Sequence, residues 1–458
     1  NGFDEDFSMP TTGEDTDRLY DIQNIIGSDN GNDTLIGSAE VNTIFAGANA
    51  DTIIGAGGAD TIYGQGGNDT ILGGLDGDAI YGGDTTVDDG NDTVDYSYIT
   101  AANGTKLTIN LNTVGKEVQN TNDATAFDTL FGIENVKGGA NDDILTGGND
   151  FAIVNTLDGY KGNDTFYASK GVDHIIGGDG IDTLDYSNVD TSVAGGGNAV
   201  YVDLANGQAS NDGYKNAGVN VVDTISGIEV VIGTILDDTL IGNESANTLY
   251  GSDGNDSLFG DRGADSLFGG LGNDIITGGN DIDYLNGGEG NDDLNGGLGN
   301  DTIDGGSGDD LITFDLGNDS ITGGDGNDHL SYTGSSTYGI TATYSDGTAS
   351  IDVGVDGVDA IQDHIETLTG TSLVDVISGF NGTSTGKDYN DTFFGLGGND
   401  IINGGIGNDV IDAGEGDDII NGQAGNDTIN GNGGSDTLTF VDANKSVVPR
   451  FLYVQHNE

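Results

Sequence analysis

From Asp238 to Asp328 an acidic or amide residue recurs every ninth position: Asp238, Asn247, Asp256, Asp265, Asp274, Asp283, Asp292, Asp301, Asp310, Asp319 and Asp328. Two residues after each comes Leu or Ile, without exception from Leu240 to Leu330. A period this strict means that nine residues form one structural unit and that the units meet in register. Other arrays keep the same spacing, with Asp33, Asn42, Asp51, Asp60, Asp69 and Asp78 early in the chain, Asp164, Asp173 and Asp182 next, and Asp391, Asp400, Asp409, Asp418, Asp427 and Asp436 late.

In GGEGNDDLN at 287–295 the glycines permit the positive φ of a tight turn and let neighbouring turns approach without Cβ clashes. The three residues that follow the turn are too few for a helix, so they read as a short strand. Two nonapeptides then make one coil of strand, turn, strand and turn. Coils stack into parallel sheets about 4.8 Å apart, with the Leu and Ile ladder pointing inward as a thin apolar core. The fold class expected is all-β: tandem parallel β-roll solenoid blocks separated by small β-strand inserts.

Three segments break the period, each after a similar phrase: DTVDYS at 92–97, DTLDYS at 182–187 and DHLSYT at 328–333. They contain alternating stretches such as KLTINLN and AVYVDLANG, which read as strands with one face buried. Each is followed by a re-entry phrase, DTLFGIENVKG at 128–138, DTISGIEVVIG at 223–233 and the looser DAIQDHIETLTG at 359–370. DRLYDIQNIIG at 17–27 opens the first array in the same way. The organisation expected is an N-terminal segment at 1–16, β-roll blocks at 17–93, 128–183, 223–330 and 359–438, inserts at 94–127, 184–222 and 331–358, and a C-terminal segment at 439–458.

The chain has 84 Gly and no Cys, with 78 acids against 11 bases, for a formal charge of −67. Nucleic acid and anionic membrane are excluded as partners by that sign. The lack of Cys removes disulfides, thiolate metal sites and cysteine nucleophiles. An acidic, Gly-rich chain is often disordered, but disorder does not need Ile and Leu in register. No apolar run is long enough for a membrane helix, and the sequence opens at Asn1 without a basic, apolar leader, so either a leader is removed or export does not use one.

Stacking also places aspartates of successive coils about 4.8 Å apart, where two like charges repel by roughly 0.9 kcal/mol in water and about 3.5 kcal/mol at an effective dielectric of 20. Something must neutralise them. A hard divalent cation such as Ca²⁺ takes six to eight oxygens, from carboxylates and from carbonyls of the kind a glycine turn exposes. Zinc is unsuited to a chain without Cys whose only histidines are the scattered His174, His329, His364 and His456. Magnesium prefers fewer protein ligands and a rigid octahedron.

GGDGND at 323–328, GGLGND at 269–274 and 296–301, GGEGND at 287–292 and GGIGND at 404–409 resemble the RTX repeat GGxGxDxUx. The resemblance covers well over half of the chain. It implies a calcium-binding turn over six residues, a short strand over three and a parallel β-roll built by stacking. It also implies export, usually by a type I route that reads a C-terminal signal, and folding on meeting calcium outside the cell. The residues it marks as metal ligands are Asp60, Asp69, Asp78, Asp164, Asp182, Asp256, Asp265, Asp274, Asp292, Asp301, Asp310, Asp328, Asp400, Asp409, Asp418, Asp427 and Asp436. Departures from the pattern are Asn42 and Asn247 in place of the acid and Asp76 and Asp281 in place of the fourth glycine. The turns ending at Asp51, Asp173, Asp319 and Asp391 lack most of the family glycines.

A search for catalysis finds little. GTSTG at 382–386 matches GxSxG around Ser384 but lacks the strand, turn and helix that such a nucleophile requires. There is no HExxH, carboxylates are too abundant for any pair to signal glycosidase chemistry, and Tyr and Phe are spread singly, as packing residues would be. The function expected is therefore non-enzymatic: a secreted, calcium-binding structural protein of a surface layer, filament or matrix, self-assembling head to tail through calcium. A cell-surface polysaccharide is a second candidate partner. The alternative is a calcium-dependent adhesin or the secretion tail of a larger toxin or hydrolase.

Overall fold

The structure is a computed structural model that describes residues 22–83, 90–100, 106–112, 116–120, 128–148, 153–167, 169–189, 199–210, 222–313, 316–334, 337–346, 348–363, 365–382 and 389–439. Ser384, His364, His456 and the opening phrase near Asp17 lie outside the described residues. The chain forms two compact units, residues 1–243 with 247–252, and residues 244–246 with 253–458.

In the second unit successive nonapeptides alternate between two parallel sheets. Strands Ser266–Leu271, Tyr284–Glu289, Thr302–Ser307 and Ser320–Asp325 stack in one, with Leu267 beside Leu285, Leu285 beside Ile303 and Ile303 beside Ile321. Strands Ser257–Arg262, Ile275–Asn280, Asp293–Leu298 and Leu311–Thr313 stack in the other, aligning Leu258, Ile276, Leu294 and Ile312. Partners are eighteen residues apart, so two nonapeptides do make one coil. The ladder side chains are buried, and their neighbours alternate outward as a strand's period of two requires.

The first unit repeats the plan. Ile44, Ile62, Ile80 and Leu130 align in one sheet, and Ile53, Ile71, Val94 and Val136 in the other. On the outer surface Phe45, Tyr63, Tyr81 and Phe131 form a stack with ring centroids 4.8, 4.7 and 4.6 Å apart. Coil spacing and ring stacking share one distance. These aromatic residues are thus an ordered column, where the sequence suggested singly spread packing groups.

The inserts do not lie outside the sheets or close them off. In the third insert, strand Thr341–Ser345 pairs antiparallel with Thr348–Asp352, which pairs antiparallel with Val358–Ile361. The outer two of these strands then pair in parallel with Val376–Ser378 and Ser320–Asp325, so the insert is a three-stranded excursion spliced into the sheet. The first insert joins Ala79–Tyr81 to Ile144–Thr146 through Asp128–Phe131, Lys116–Asn120 and Leu107–Asn110 in the same manner. The second joins Val172–Ile176 to Thr239–Ile241 through Val222–Ser226, Gln208–Ser210 and Tyr201–Asp203, but in the opposite sheet. Alternating hydrophobicity in the inserts is explained by this position: Ala342, Ile351 and Val202 continue the inward ladder and are fully buried.

Because the core is one side chain thick on each sheet, a polar group there has no route to water. Replacing Ile303 by Asp should unfold the surrounding coils even at saturating calcium, since it buries an unpaired charge. Leu285→Ala should lower stability by about 2–5 kcal/mol through the cavity left behind. Chemical denaturation at saturating calcium, followed by circular dichroism, measures both.

Candidate metal sites

The ninth-residue acids are not a solvated face. Asp164, Asp182, Asp328, Asp400 and Asp409 are 0% exposed, and Asp60, Asp69, Asp78, Asp256, Asp265, Asp274, Asp292, Asp301, Asp310 and Asp418 are all buried. Burial fades at the two ends of the described chain, with Asp33 and Asp427 half-buried and Asp436 exposed. The reason is a backbone bond between coils. The N–H of Asp274 donates to Oδ1 of Asp292 at 2.8 Å, that of Asp292 to Oδ1 of Asp310 at 2.8 Å, and on the other edge that of Asp283 to Oδ1 of Asp301 at 2.8 Å. Asp60 to Asp78, Asp164 to Asp182 and Asp400 to Asp418 repeat it.

What happens to the second carboxylate oxygen depends on the turn, numbered here from its first glycine. In one class, the second residue has positive φ, as in Gly288 and Gly306 at 114° and 107°, and its N–H faces away from the acid. Residues with side chains adopt this conformation too: Ala56, Gln65, Tyr160, Ser252, Asp261 and Leu396 have φ between 69° and 88°. In these open turns Oδ2 of Asp60, Asp78, Asp164, Asp182, Asp292, Asp301, Asp310, Asp328, Asp400, Asp409 and Asp418 is buried with no hydrogen-bond partner. Burying an unsatisfied ionised oxygen is costly.

The second class closes on itself. In GTILDD at 233–238 the N–H of Thr234 donates to Oδ2 of Asp238 at 2.6 Å, and Thr234 Oγ1 accepts the N–H of Leu236 at 3.0 Å. GTSLVD at 370–375 is built identically, with Thr371 donating to Asp375 at 2.7 Å. Ser38 donates to Asn42, Gly139 to Asp143 and Asn243 to Asn247. These acids and amides have their second site filled by protein, and none belongs to the expected metal set.

Every expected aspartate lies in an open turn, but so do two that the glycine pattern excluded. Asp51 and Asp283 are buried, with Oδ2 equally without a partner. Their turns tolerate the missing fourth glycine because Asn49 and Asp281 take φ of 81° and 80° there, as Asp76 does at 79°. Asn and Asp enter this region more readily than other side chains. Thr or Ser at the second position with Leu or Glu at the fourth marks the closed turns at Asp238, Asp375 and Asn42, whereas GGANDD at 138–143 and GNESAN at 242–247 close without that signal.

The space beside an open-turn acid suits a hard cation. A Cβ built on Gly305 would overlap both Oδ2 of Asp310 and the carbonyl oxygen of Gly323, so a carboxylate and a carbonyl of the next coil converge on one point. Gly269, Gly278, Gly287 and Gly395 show the same pairing with Asp274, Asp283, Asp292 and Asp400. Among the described residues no three His, Cys, Asp or Glu side chains converge, so backbone carbonyls must supply most ligands. An all-oxygen set of this kind fits Ca²⁺ and does not fit zinc. His174 and His329 instead bond Thr224 and Thr369 across neighbouring strands.

The family comparison agrees with this geometry. The profile of the RTX calcium-binding nonapeptide repeat (4 copies) matches residues 28–62, 54–85, 154–184, 232–267, 252–285, 268–303, 277–312, 286–321, 304–334, 378–411, 385–420 and 404–438, more than half of the chain. No curated protein matches. Among solved structures, a hyperactive, Ca²⁺-dependent, β-helical antifreeze protein from an Antarctic bacterium is similar at 16% identity and TM-score 0.21, covering 93% of this chain and 88% of that one. The extracellular lipase LipA from Serratia marcescens is similar at 15% identity and TM-score 0.11, over 74% of this chain and 38% of that one.

Burial raises the Asp283, Asp292, Asp400 and Asp409 carboxyls to about 7, and those of Asp78 and Asp164 to about 8, with neighbouring carboxylates adding to the rise. An unfolded aspartate titrates near about 3.9. Without metal, the folded chain therefore holds protons that the unfolded chain has released, and the stability these groups contribute is greatest below about pH 4 and lost as pH rises through about 7–8. In excess chelator, circular dichroism should show more β-structure at about pH 5.5 than at about pH 8.5, and calcium affinity should fall on acidification. Identical chelated spectra at both pH values would contradict the burial of unsatisfied carboxylates. Gly305→Ala should fill the space beside Asp310 and lower calcium stoichiometry by about one ion per chain, measured by equilibrium dialysis.

Proposed function

Since the chain belongs to the RTX calcium-binding nonapeptide-repeat family, whose repeats bind several calcium ions, we propose that it is an exported structural protein that folds on calcium and then assembles outside the cell. The observation that carries this reading is the column of buried carboxylate oxygens without hydrogen-bond donors along each edge of the roll. Asp51, Asp60, Asp69, Asp78, Asp164, Asp182, Asp256, Asp265, Asp274, Asp283, Asp292, Asp301, Asp310, Asp328, Asp400, Asp409 and Asp418 would hold the ions, together with turn carbonyls, with Asp427 and Asp436 in the last coils. Calcium supplies positive charge at points where water cannot reach. The chain itself places each carboxylate by the bond from the preceding coil. At low calcium the acids repel and stay solvated, which keeps the chain extended for passage through a type I exporter. Millimolar calcium outside then drives folding.

Assembly would use the strands at the two ends of the described roll. Among the described residues, Asn24–Ile26 pairs on one side with Thr43–Ala48, and Thr437–Leu438 on one side with Ile419–Asn421. A strand at the end of a sheet can template another chain, and two different ends meeting head to tail build a filament or layer rather than a closed ring. Calcium bridging acidic surfaces would offset the charge of −67 on each subunit. No catalytic step is part of this reading. A cell-surface polysaccharide would be the natural anchor for such a layer.

Two measurements test the proposal. Chelation at neutral pH should convert β-rich circular dichroism to that of a disordered chain and expand the radius in small-angle scattering; a native radius in metal-free buffer would refute calcium-driven folding. Light scattering and electron microscopy at millimolar calcium should show polymers that chelation dissolves. A strictly monomeric particle at high protein concentration would instead favour an adhesin or a secretion tail.

A further inference from the structure

The junctions between blocks satisfy their carboxylates in a third way. In the first, Oδ1 of Asp128 accepts the N–H of Asp78 at 2.8 Å, as in any coil, but Oδ2 accepts the hydroxyl of Tyr96 at 2.9 Å. In the third, Oδ1 of Asp359 accepts the N–H of Asp319 at 3.1 Å and Oδ2 accepts the hydroxyl of Tyr332 at 2.6 Å. Both rings are fully buried, at 1% and 0% exposed. The tyrosine comes from the exit phrase and the aspartate from the re-entry phrase, on opposite sides of the insert. The second junction has Tyr186 and Asp223 at the same places in its phrases, both buried, and Asp223 likewise accepts the N–H of Asp173 at 2.8 Å.

The other edge of each junction coil also departs from the repeat. Glu134, Glu229 and Glu366 stand where the repeat has Asp, and their Oε2 atoms accept the N–H groups of Asp92, Asp182 and Asp328 at 2.8, 2.9 and 2.9 Å. A third feature recurs in all three copies. The N–H groups of Tyr96, Tyr186 and Tyr332 donate to the carbonyls of Lys137, Ile232 and Thr369, the last strand residues of the re-entry phrases, at 2.8, 2.9 and 2.9 Å. Each exit phrase is thereby fastened to its re-entry phrase at two points, by main chain and by side chain, whatever the length or sequence of the insert between them.

We propose that these junctions are metal-free clasps, in which at the first and third a buried tyrosine hydroxyl takes the part that calcium takes in the open turns, so that these two coils hold their register independently of calcium. The argument rests on the calcium reading of the open turns. Its physical content is that a neutral O–H donor on a fully buried ring satisfies a buried carboxylate oxygen without a cation. Loading then spreads from coils that are already closed, which removes the need to nucleate each array separately. That the phrase is repeated with its Tyr, Asp and Glu around three inserts of unrelated sequence is accounted for by one role: setting register where the nonapeptide period is interrupted.

The test uses the full chain. Hydrogen exchange during stepwise calcium withdrawal should leave the amides of Asp78, Asp319, Tyr96 and Tyr332 protected at calcium concentrations where those of Asp283, Asp292 and Asp400 exchange; simultaneous loss would overturn the proposal. Tyr96→Phe and Tyr332→Phe should bind as many ions as the unaltered chain, denature at lower urea under saturating calcium, and gain nothing from further calcium. A variant that binds one more ion, or recovers its midpoint as calcium rises, would show that the aspartate is a metal site and sink the clasp. If either variant does not fold, exchange in the unaltered chain decides alone. Absence of calcium binding by the unaltered chain would instead strike at the reading of the open turns.

Discussion

Through the regular arrays the coils hang on one bond, the backbone N–H of an aspartate donating to Oδ1 of the aspartate one coil further on. It fixes the period, because only a residue at the same turn position can be both donor and acceptor. It buries the acid, because the carboxylate must lie under the next coil to receive the bond. It also uses only half of the carboxylate. A group that is both obligatory and half-satisfied sets the remaining chemistry, and the glycines, the charge and the need for a cation follow from it. The carboxylates would otherwise be the least favourable groups in the core; paired with a cation they become its most specific contacts.

The remaining oxygen has one of three settings: no protein donor in the open turns, where a cation would sit, a local backbone N–H in the closed turns, and a tyrosine hydroxyl at the first and third junctions. Where the turn ends in an aspartate, all three leave the Oδ1 bond untouched, so they interchange along the roll without disturbing either sheet. Thr234 and Thr371 close turns at Asp238 and Asp375, the first regular turns after the re-entry phrases of the third and fourth blocks. Coils next to a junction thus depend less on metal than coils in the middle of an array. Charge density and metal dependence are concentrated in the longest uninterrupted stretch, around Asp256 to Asp328.

Much of this was legible in the residues. Leu294, Ile303 and Ile312, each two places after an acid, gave the inward ladder, and the pairing of two nonapeptides per coil followed from the length of a three-residue strand. Turn class was less accessible, because the glycine count misleads: Asp281 and Asn49 adopt the conformation expected of glycine, while Gly139 does not. The deciding feature is where the second residue points its N–H, a property of φ that Tyr160 and Ser252 share with Gly288. The tyrosine caps were hidden because Tyr96 and Asp128 are far apart in sequence and ordinary in composition. The place of the inserts was hidden as well, since alternation reports a half-buried strand without saying which strands it joins; their antiparallel order is set by pairing partners such as Ser320–Asp325 and Val376–Ser378.

The alternation of nonapeptides between the two sheets imposes a parity on the growth of the molecule. Adding or removing eighteen residues restores every downstream strand to its own sheet, whereas a change of nine transfers each of them to the opposite one. The inserts make that transfer consequential, for the first lies in the sheet of Ala79–Tyr81 and the second in the sheet of Val172–Ile176, on the other face. An odd number of units gained by unequal recombination would therefore move an insert across the molecule, with all its exposed residues. Relatives that keep their inserts on the same faces should differ between inserts by even numbers of nonapeptides, and designers who wish to lengthen such a roll should count in pairs.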